Sequence, residues 1–415
     1  MNRIYKITFA AGLACFWLLA CNMEDQPATD EVVPAKPIEL TLRESEKATA
    51  DNQFTFKIFR EVSDNSEAPN VFFSPLSLNM ALGMLYNGAA GDTRAEMAEV
   101  LGLADFTDAE INAYYQKMSQ TLLAIDPLTE IAIANSIWHH NTFPVKQPFI
   151  DVNKKYFDAA VQALDFRMSD AADIINKWCA DKTKDRIKDI IAKPIPDDVV
   201  MYLMNALYFK SQWQFEFDKK QTKPDDFTKV DGSKLKVNLM EQTASLPYYV
   251  DEYLQCVEMP YGNQAFSMMV ILPCGDRNID QLIDYLDNKI WEGVVNNLRE
   301  QAVWLKLPRF KIECKIPLNI PVENVGMKRI FYDYLADFSN ISTVPLIVSK
   351  IMQKTFVEVN EEGTEAAAVT VVEMAPTSVG PGPTIPFHAN RPFLYLIKEK
   401  STGVILFIGR MDEPN

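Results

Sequence analysis

The stretch Glu361-Glu-Gly-Thr-Glu-Ala-Ala-Ala-Val-Thr-Val-Val-Glu-Met374 alternates in the way that an extended strand does. In an extended chain, every second side chain lies on the same face. One face has only small, apolar or hydroxyl groups: Thr364, Ala366, Ala368, Thr370, Val372 and Met374. The opposite face has both charges: Glu365, Ala367, Val369, Val371 and Glu373. The first face is therefore suited to burial in a sheet without stranding a charge.

Prolines follow this segment and exclude a regular central strand beyond it. They are Pro376, Pro381, Pro383 and Pro386. An ordinary edge strand followed by a loop is the alternative interpretation, because so short an alternation is ambiguous.

The flanking sequence favours a more specific interpretation. A strand-like segment at 349–360 precedes the stretch, and apolar strands at 387–397 and 403–410 follow it. In this order the segments resemble the strand, hinge, reactive-centre loop and C-terminal strands of the serpin family. Other segments of this chain also resemble motifs of that family, namely residues 70–77, 205–213, 307–310, 336–339 and 409–410. The resemblance covers about residues 45–412.

The pattern of elements predicts an α+β fold. Helical periodicity dominates at 45–63, 148–159 and 170–191, and a capping box is expected at Thr93 and Glu96. Apolar strands begin with 201–208 and 267–273, and a helix at 278–300 is inserted among them. The resemblance implies one serpin-type domain at 45–415, with a large mixed central sheet, further β-sheets, surrounding helices and an exposed reactive-centre loop at about 361–386.

Composition excludes some classes of function. The 415 residues are 48% hydrophobic, which is sufficient for a large core, and the net charge is −15. A nucleic-acid partner is not expected for so acidic a chain.

The N-terminus predicts a lipoprotein signal peptide at 1–20. Arg3 and Lys6 precede a short apolar run, which ends in Leu-Leu-Ala-Cys21 and resembles a bacterial lipobox. Lipidation of Cys21 would anchor the protein at a membrane of the cell envelope, on the periplasmic or the surface-exposed side of an outer membrane. An ordinary secretory signal with a chance cysteine is the alternative. Residues 21–44 are acidic and proline-rich, which predicts a flexible tether.

Catalytic and metal-binding patterns are weak. The histidines are His139, His140 and His388, and none lies in a nucleophile elbow or a metal-spaced motif. The cysteines Cys179, Cys256, Cys274 and Cys314 are widely spaced, which favours isolated thiols and leaves one disulfide open. No enzyme activity, cofactor or metal is expected.

The resemblance implies that the chain is a suicide inhibitor of serine proteases and acts as a monomer. Cysteine proteases are a second possible class of target. A protease cuts the loop, and the acyl-enzyme is trapped when the loop inserts into the central sheet. Hinge roles are carried over to Gly363 as the bend, Thr364 as the first residue to enter, and the small Ala366, Ala367 and Ala368. Glu361 and Glu362 are expected to stay solvated, and Glu365 lies on the outward face. A non-inhibitory serpin-fold binding or carrier lipoprotein is the alternative function.

Counting along the loop places the reactive bond between Thr377 and Ser378, with Met374 and Ala375 as alternatives. The absence of Arg and Lys from 373–386 favours an elastase-like protease or one with a broad pocket.

A second group of residues is implied for the place where the sheet opens. It comprises Ser74, Ser77, Asn205, Trp213 and Gln353. Gln353 occupies a position where the family often has His, and its amide is able to donate and accept as a neutral imidazole does. An exposed Gln on an edge is the alternative.

Overall fold

Helices dominate the first half of the chain in the computed structural model, which describes residues 34–364 and 383–415. The helices are α1 (Leu42–Asp64), α2 (Pro75–Tyr86), α3 (Gly91–Val100), α4 (Asp108–Leu122), α5 (Gln147–Phe157), α6 (Ala171–Lys182), α7 (Ile279–Tyr285), α8 (Asn288–Asn296) and α9 (Asn319–Asn324). Local chemistry sets their ends. Thr41 and Glu44 form a reciprocal capping box at the start of α1, and Ser74 caps α2 with Pro75 in its first turn.

Strands dominate the second half of the chain. They are β1 (Val71–Phe73), β2 (Glu130–His140), β3 (Ala160–Leu164), β4 (Met201–Gln212), β5 (Lys223–Thr228), β6 (Lys234–Val250), β7 (Leu254–Pro260), β8 (Phe266–Pro273), β9 (Arg299–Pro308), β10 (Phe310–Pro317), β11 (Met352–Val359), β12 (Gly363–Thr364), β13 (Ile385–His388), β14 (Phe393–Glu399) and β15 (Ile405–Met411).

Within the described residues the strands form two sheets. A six-stranded mixed sheet has the order β10-β11-β12-β4-β2-β3, with β2 and β3 parallel and the remaining pairs antiparallel. A nine-stranded sheet has the order β1-β15-β14-β8-β7-β6-β9-β13, and β5 pairs with β6. The predicted α+β class with a large mixed sheet is confirmed.

The core lies between the sheets and the helices. α2 packs against β4 of one sheet and β15 of the other, and every residue of it except Ala81 is buried. β8 and β14 are buried along their whole length and carry apolar side chains on both faces, although β14 ends in the buried Lys398 and Glu399. A smaller apolar cluster under α6 includes Trp138 and Ile175.

Two expectations about element boundaries were wrong. The predicted helix 170–191 ends at Lys182, because Lys184 and Asp185 adopt positive φ angles of 52° and 62°. The helix expected at 278–300 is two helices, since Leu286 is extended and the side chain of Asp287 caps a new start. Residues 299–300 of that range begin β9.

The expected capping box at Thr93 does not form. Thr93 lies inside α3, where its hydroxyl donates to the Leu335 carbonyl and accepts from the Asp337 amide. The helix starts two residues earlier, at Gly91, and tertiary partners satisfy the threonine instead.

The segment expected to be a tether at 21–44 is packed in its described part. The Ala35 amide donates to the Asn263 carbonyl at 2.9 Å, and the Ile38 amide donates to Ser401 Oγ at 2.8 Å. Ile38 is buried in the core and α1 starts at Leu42. Residues 34–44 therefore belong to the folded unit. The predicted signal peptide at 1–20, Cys21 and the tether up to residue 33 lie outside the described residues.

No helix in 34–364 or 383–415 combines the length and the apolar character that membrane crossing requires.

Candidate reactive-loop hinge and sheet-opening site

The hinge begins as a tight reversal at the end of β11. Asn360 Oδ1 accepts from the amides of Glu362 and Gly363 at 2.9 and 3.2 Å, and the Asn360 amide donates to the Gly363 carbonyl. An asparagine side chain that binds the amides of following residues stabilises such a turn. The chain then runs back as β12 between β11 and β4, antiparallel to both.

Gly363 is required at this turn for two reasons. Its φ of +155° lies in a region that L side chains rarely adopt. A Cβ built at this position would clash with the Ser211 carbonyl oxygen and lie 2.7 Å from the Gln212 Cα. Close approach to β4 therefore demands glycine here, in addition to the freedom of rotation that the sequence indicated.

Thr364 is already inside the sheet. Its side chain is buried, and its Oγ1 lies 2.6 Å from the hydroxyl oxygen of Tyr261. Burial raises the pKa of Tyr261, so that hydroxyl stays protonated. The rings of Tyr261 and Trp213 stack at 4.4 Å, and Trp213 Nε1 donates to the Asn360 carbonyl at 2.9 Å. This aromatic pair supports the hinge from beneath.

The expectation that Glu361 and Glu362 stay solvated was wrong. Glu361 is 2% exposed and accepts from Thr222 Oγ1 and from two nitrogens of Arg309. Burial opposes its ionisation, but the bonds from Arg309 and Thr222 outweigh that effect and lower its pKa. The Glu362 carboxylate pairs with Lys219, and its side chain is 15% exposed. The turn is therefore held by Glu361 through Arg309 and Thr222, and by Glu362 through Lys219.

Sequence reasoning missed several residues of the hinge. Arg309 lies in the motif 307–310, which was matched to the family without a role, and its charge was the available signal. Asn360 directly precedes Glu361, and an asparagine before Glu-Glu-Gly was an available turn signal. Thr222 and Tyr261 gave no signal, because only the tertiary fold brings them to the hinge.

Gln353 is a buried structural link and not an exposed edge residue. Its Oε1 accepts from the Ser74 amide at 2.6 Å, and its Nε2 donates to the Ser74 carbonyl at 3.0 Å. Ser74 Oγ in turn donates to the Leu406 carbonyl at 2.7 Å. The amide uses both of its functions at once, and joins β11 to the start of α2.

Asn205 and Ser77 lie beside this link. Ser77 Oγ donates to the Asn205 carbonyl at 3.4 Å, and Asn205 Nδ2 donates to Asn135 Oδ1 at 2.7 Å. Asn205 Oδ1 is buried and lacks a hydrogen-bond partner in the described part of the chain. The structure thus brings Ser74, Ser77, Asn205 and Gln353 together. Trp213 lies at the other end of β4, with the hinge.

A cavity of about 470 Å³ lies between the first residues of β4 and the segment leading into β11. Its lining is mostly apolar, and includes Leu78, Leu82, Leu85, Leu203 and Ile351. Among the described strands, β4 and β11 are joined only through the two residues of β12. β4 and β11 therefore leave a slot between them. β12 closes one end of this slot, and residues of α2 line its inner side.

Other predicted site residues lie outside the described residues. They are Glu365, Ala366, Ala367, Ala368, Met374, Ala375, Thr377, Ser378 and Cys21.

Side chains of the types that bind metals are not clustered within the described ranges. No group of three or more His, Cys, Asp or Glu side chains there is arranged to hold a metal ion. The four described cysteines are free, and Cys179, Cys256 and Cys314 are buried. Burial raises the pKa of the Cys179 thiol to about 12, so it stays protonated.

Comparison with known proteins identifies this architecture. The family model described as "Serpin (serine protease inhibitor)" matches residues 49–414. Iripin-2 of Ixodes ricinus is 32% identical over 376 residues, which cover 89% of this chain and 94% of its own.

Two solved structures share the fold. Native Tengpin, a thermophilic serpin, has a TM-score of 0.81 at 31% identity, covering 92% of this chain and 97% of its own. Human thyroxine-binding globulin, complexed with thyroxine, has a TM-score of 0.81 at 26% identity, covering 90% of this chain and 100% of its own. The chain belongs to the serpin family and has the serpin fold, and protease inhibition is the activity by which that family is described.

Proposed function

We propose that this protein inhibits serine proteases by a suicide mechanism, in which the cleaved loop inserts between β4 and β11. The observation that carries the proposal is β12. Thr364 is already seated between the two strands, with its side chain buried against Tyr261. Insertion therefore extends a strand that has begun, which avoids the cost of nucleating a new one.

The register of β12 indicates where each loop residue would go. Thr364 pairs with Ser211 on β4 and with Val359 on β11, antiparallel to both. Each later loop residue then pairs one residue further back on both strands. Since Thr364 faces inward, every second residue after it faces inward as well.

This register matches the chemistry of the slot. Thr370 would arrive between Asn205 and Gln353, where its hydroxyl has the unpartnered Asn205 Oδ1 to donate to. Val372 and Met374 would follow into the apolar cavity. An inserted strand would thus leave no charge on the inward face and would fill the space above α2.

The chemistry before insertion belongs to the protease. Its Ser or Cys nucleophile attacks the carbonyl of the residue before the cut, expels the amine of the next residue and forms an acyl-enzyme. Water would normally release the acid. Insertion of the freed arm carries the esterified end along the sheet before that second step. A cysteine protease would form the corresponding thioester.

We place the cut between Thr377 and Ser378, with Met374 and Ala375 as alternative positions. Because no basic residue lies near these positions, an elastase-like or broad pocket suits them better than a trypsin-like one.

The first experiment incubates the chain from residue 34 onward with an elastase-like and a papain-like protease. The expected result is a gel-stable complex and a released peptide that starts at Ser378.

Two adjacent alanines give a matched test of insertion. Ala366→Arg puts a charge on the inward face, so its loop should be cut without a stable complex. Ala367→Arg puts the same charge on the outward face and should keep complex formation. Equal behaviour of the two variants, or no complex from the unmodified protein with any protease of a broad panel, would contradict the mechanism.

A carrier or binding role is the second candidate. The apolar cavity and the fold shared with human thyroxine-binding globulin favour it. In that case the loop would be cut as a simple substrate without a gain in heat stability, and an apolar ligand would raise the melting temperature of the uncut protein.

We further propose that the protein is monomeric and anchored in the cell envelope through lipidated Cys21. The lipobox-like Leu-Leu-Ala-Cys21 sequence supports this. In a Gram-negative host, the full chain should partition into detergent, and Cys21→Ser should abolish this partition. Cys15→Ser is the matched control and should leave it unchanged. Partition that survives Cys21→Ser would contradict the anchor.

A further inference from the structure

β13 is the strand that follows the reactive loop, and its attachment is slight. It pairs in parallel with β9 over four residues and ends the path of the nine-stranded sheet among the described strands. Phe387 is its buried anchor. Whatever weakens the pairing of β13 with β9 frees the C-terminal end of the loop.

His388 ends this strand in an unusual setting. Its ring stands edge-on to the indole of Trp304, with centroids 4.5 Å apart and planes at 88°. Its Nε2 is buried and has no hydrogen-bond partner within the described residues. In the β13–β9 register His388 lies opposite Lys306. A neutral imidazole fits this place, whereas an imidazolium would bury an N–H without an acceptor.

The surrounding charges do not compensate for a proton on His388. Lys306 on β9 is the nearest cation, and Arg391 lies just after the strand. The two acidic neighbours are Glu241 on β6 and Asp225 on β5, and Lys306 Nζ lies 3.8 and 3.3 Å from their carboxylates. Glu241 also accepts from Trp304 Nε1 at 2.7 Å. Both carboxylates are therefore already engaged.

Burial, followed by the charge of Lys306, lowers the pKa of His388 below its ordinary value of 6.5. The docked strand thus prefers neutral histidine, and the released strand, with a solvated ring, binds a proton more readily. The contribution of neutral His388 to the stability of the docked strand is therefore complete above about pH 6.5. It is lost as the pH falls from 6.5 towards the lower pKa that His388 has in the docked strand.

We infer that His388 is a pH-sensitive latch, whose protonation releases β13 from β9 and frees the C-terminal end of the reactive loop. The functional consequence rests on the proposed inhibitory mechanism. A loop that is free at this end gains the slack to enter the slot uncut, so mild acid would switch off inhibition without proteolysis.

Hydrogen exchange tests the latch without any protease. Exchange of the peptide spanning 384–390 is measured at pH 7.5 and 5.5 and corrected for the intrinsic rates. We expect protection to fall by up to about tenfold at pH 5.5, since one proton on a group with an ordinary pKa of about 6.5 supplies no more than that, and His388→Gln to remove this difference. His140→Gln is the matched control, since that ring is satisfied by Thr142 and Asp165, and it should behave as the unmodified protein. Equal protection at both pH values would overturn the latch.

Lys306→Gln gives a second variant should His388→Gln fold poorly. Removal of this cation raises the pKa of His388, so the midpoint of release should move to higher pH. An unchanged midpoint would contradict the inferred role of the histidine.

Inhibition is measured separately, after incubation at pH 5.5 and return to pH 7.5. The active fraction of the unmodified protein should decline with time, and that of His388→Gln should not. Acid-dependent exchange in a protein that never inhibits would retain the latch and reject the inhibitory function. A constant active fraction with constant exchange would reject the latch alone.

Discussion

The carboxylate of Glu361 is held ionised at a nearly inaccessible position by Arg309 and Thr222. A buried charge is tolerated only where such partners compensate for lost hydration. The pair sits at the turn that leads into β12, so the same contacts that stabilise the fold also determine where the segment proposed to insert begins.

Replacing this carboxylate by an amide should be costly. For Glu361→Gln we expect a loss of about 2–3 kcal/mol in the free energy of unfolding, below that of a fully buried pair because Arg309 is half-exposed. Because the folded pKa of Glu361 lies below 4.5, its contribution should be complete above about pH 4.5 and fade as the pH falls further. Urea unfolding at pH 7 and pH 3.5 measures both effects.

Glu362→Gln is the control for this prediction. Its partner Lys219 is largely exposed, so about 1 kcal/mol or less should be lost. A larger loss from Glu362→Gln than from Glu361→Gln would contradict the assigned roles.

Gly363 and Gly293 offer a matched pair of glycine substitutions. Gly363→Ala should displace the hinge from β4 because its Cβ has no space, which lowers stability by more than about 1 kcal/mol. Gly293→Ala, within α8 and with open space around its Cβ, should raise stability by about 0.5–1 kcal/mol. Thermal unfolding separates them, and a neutral Gly363→Ala would show that the hinge does not need this close approach.

At the scale of elements, Gln353 joins β11 to the N-terminus of α2. Gln353→Ala leaves a buried amide and carbonyl of Ser74 without this partner, so we expect a loss of about 2–3 kcal/mol. Gln116→Ala, which removes one exposed bond to the Lys155 carbonyl, should lose less than about 1 kcal/mol. Similar losses in urea unfolding would contradict the link.

Gln353→His turns the same link into a test of pH dependence. Only a neutral imidazole is able to accept from the Ser74 amide, so the variant should lose stability as the pH falls through about 6.5. The unmodified protein lacks a titratable group at this link, and the difference between the two unfolding curves from pH 8 to pH 5.5 measures the effect. Parallel curves would indicate that the ring does not occupy the place of the amide.

The elements themselves differ in how far their sequences predict them. α1 was expected from its helical periodicity, and β4 from a nearly continuous apolar run at 201–208. The end of α6 and the break between α7 and α8 were not, since positive φ angles and one extended residue interrupt a pattern that remains helical in composition.

At the scale of the whole molecule, the slot between β4 and β11 is a sheet left incomplete. Completing it adds ladder hydrogen bonds on both sides of the loop and fills the cavity above α2. We expect cleavage near Thr377 to raise the melting temperature by about 10 °C or more, since each of about ten bonds adds ~1 kcal/mol. Calorimetry of cut and uncut protein measures the shift.

Ala366→Arg provides the control at this scale, because a blocked loop should be cut without any gain. An unchanged melting temperature after cleavage of the unmodified protein would favour the carrier role instead.

The sequence by itself determined the class of fold and the inward face of the hinge. Both follow from local rules: periodicity defines the elements, and alternation in 361–374 separates charged from uncharged positions. It also indicated that Ser74, Gln353 and Asn205 belong together, through resemblance to a family.

Only the tertiary structure decided the state of the glutamates. Glu361 looks solvated in sequence, yet Arg309, 52 positions away, is brought beside it by the pairing of β10 with β11. The setting of His388, whose Nε2 lacks a hydrogen-bond partner among the described residues, likewise depends on charged residues that β5, β6 and β9 bring near it. Alternation within one strand determines which of its side chains share a face, but it does not identify the distant strand that will lie beside it. Contacts of this kind depend on that pairing.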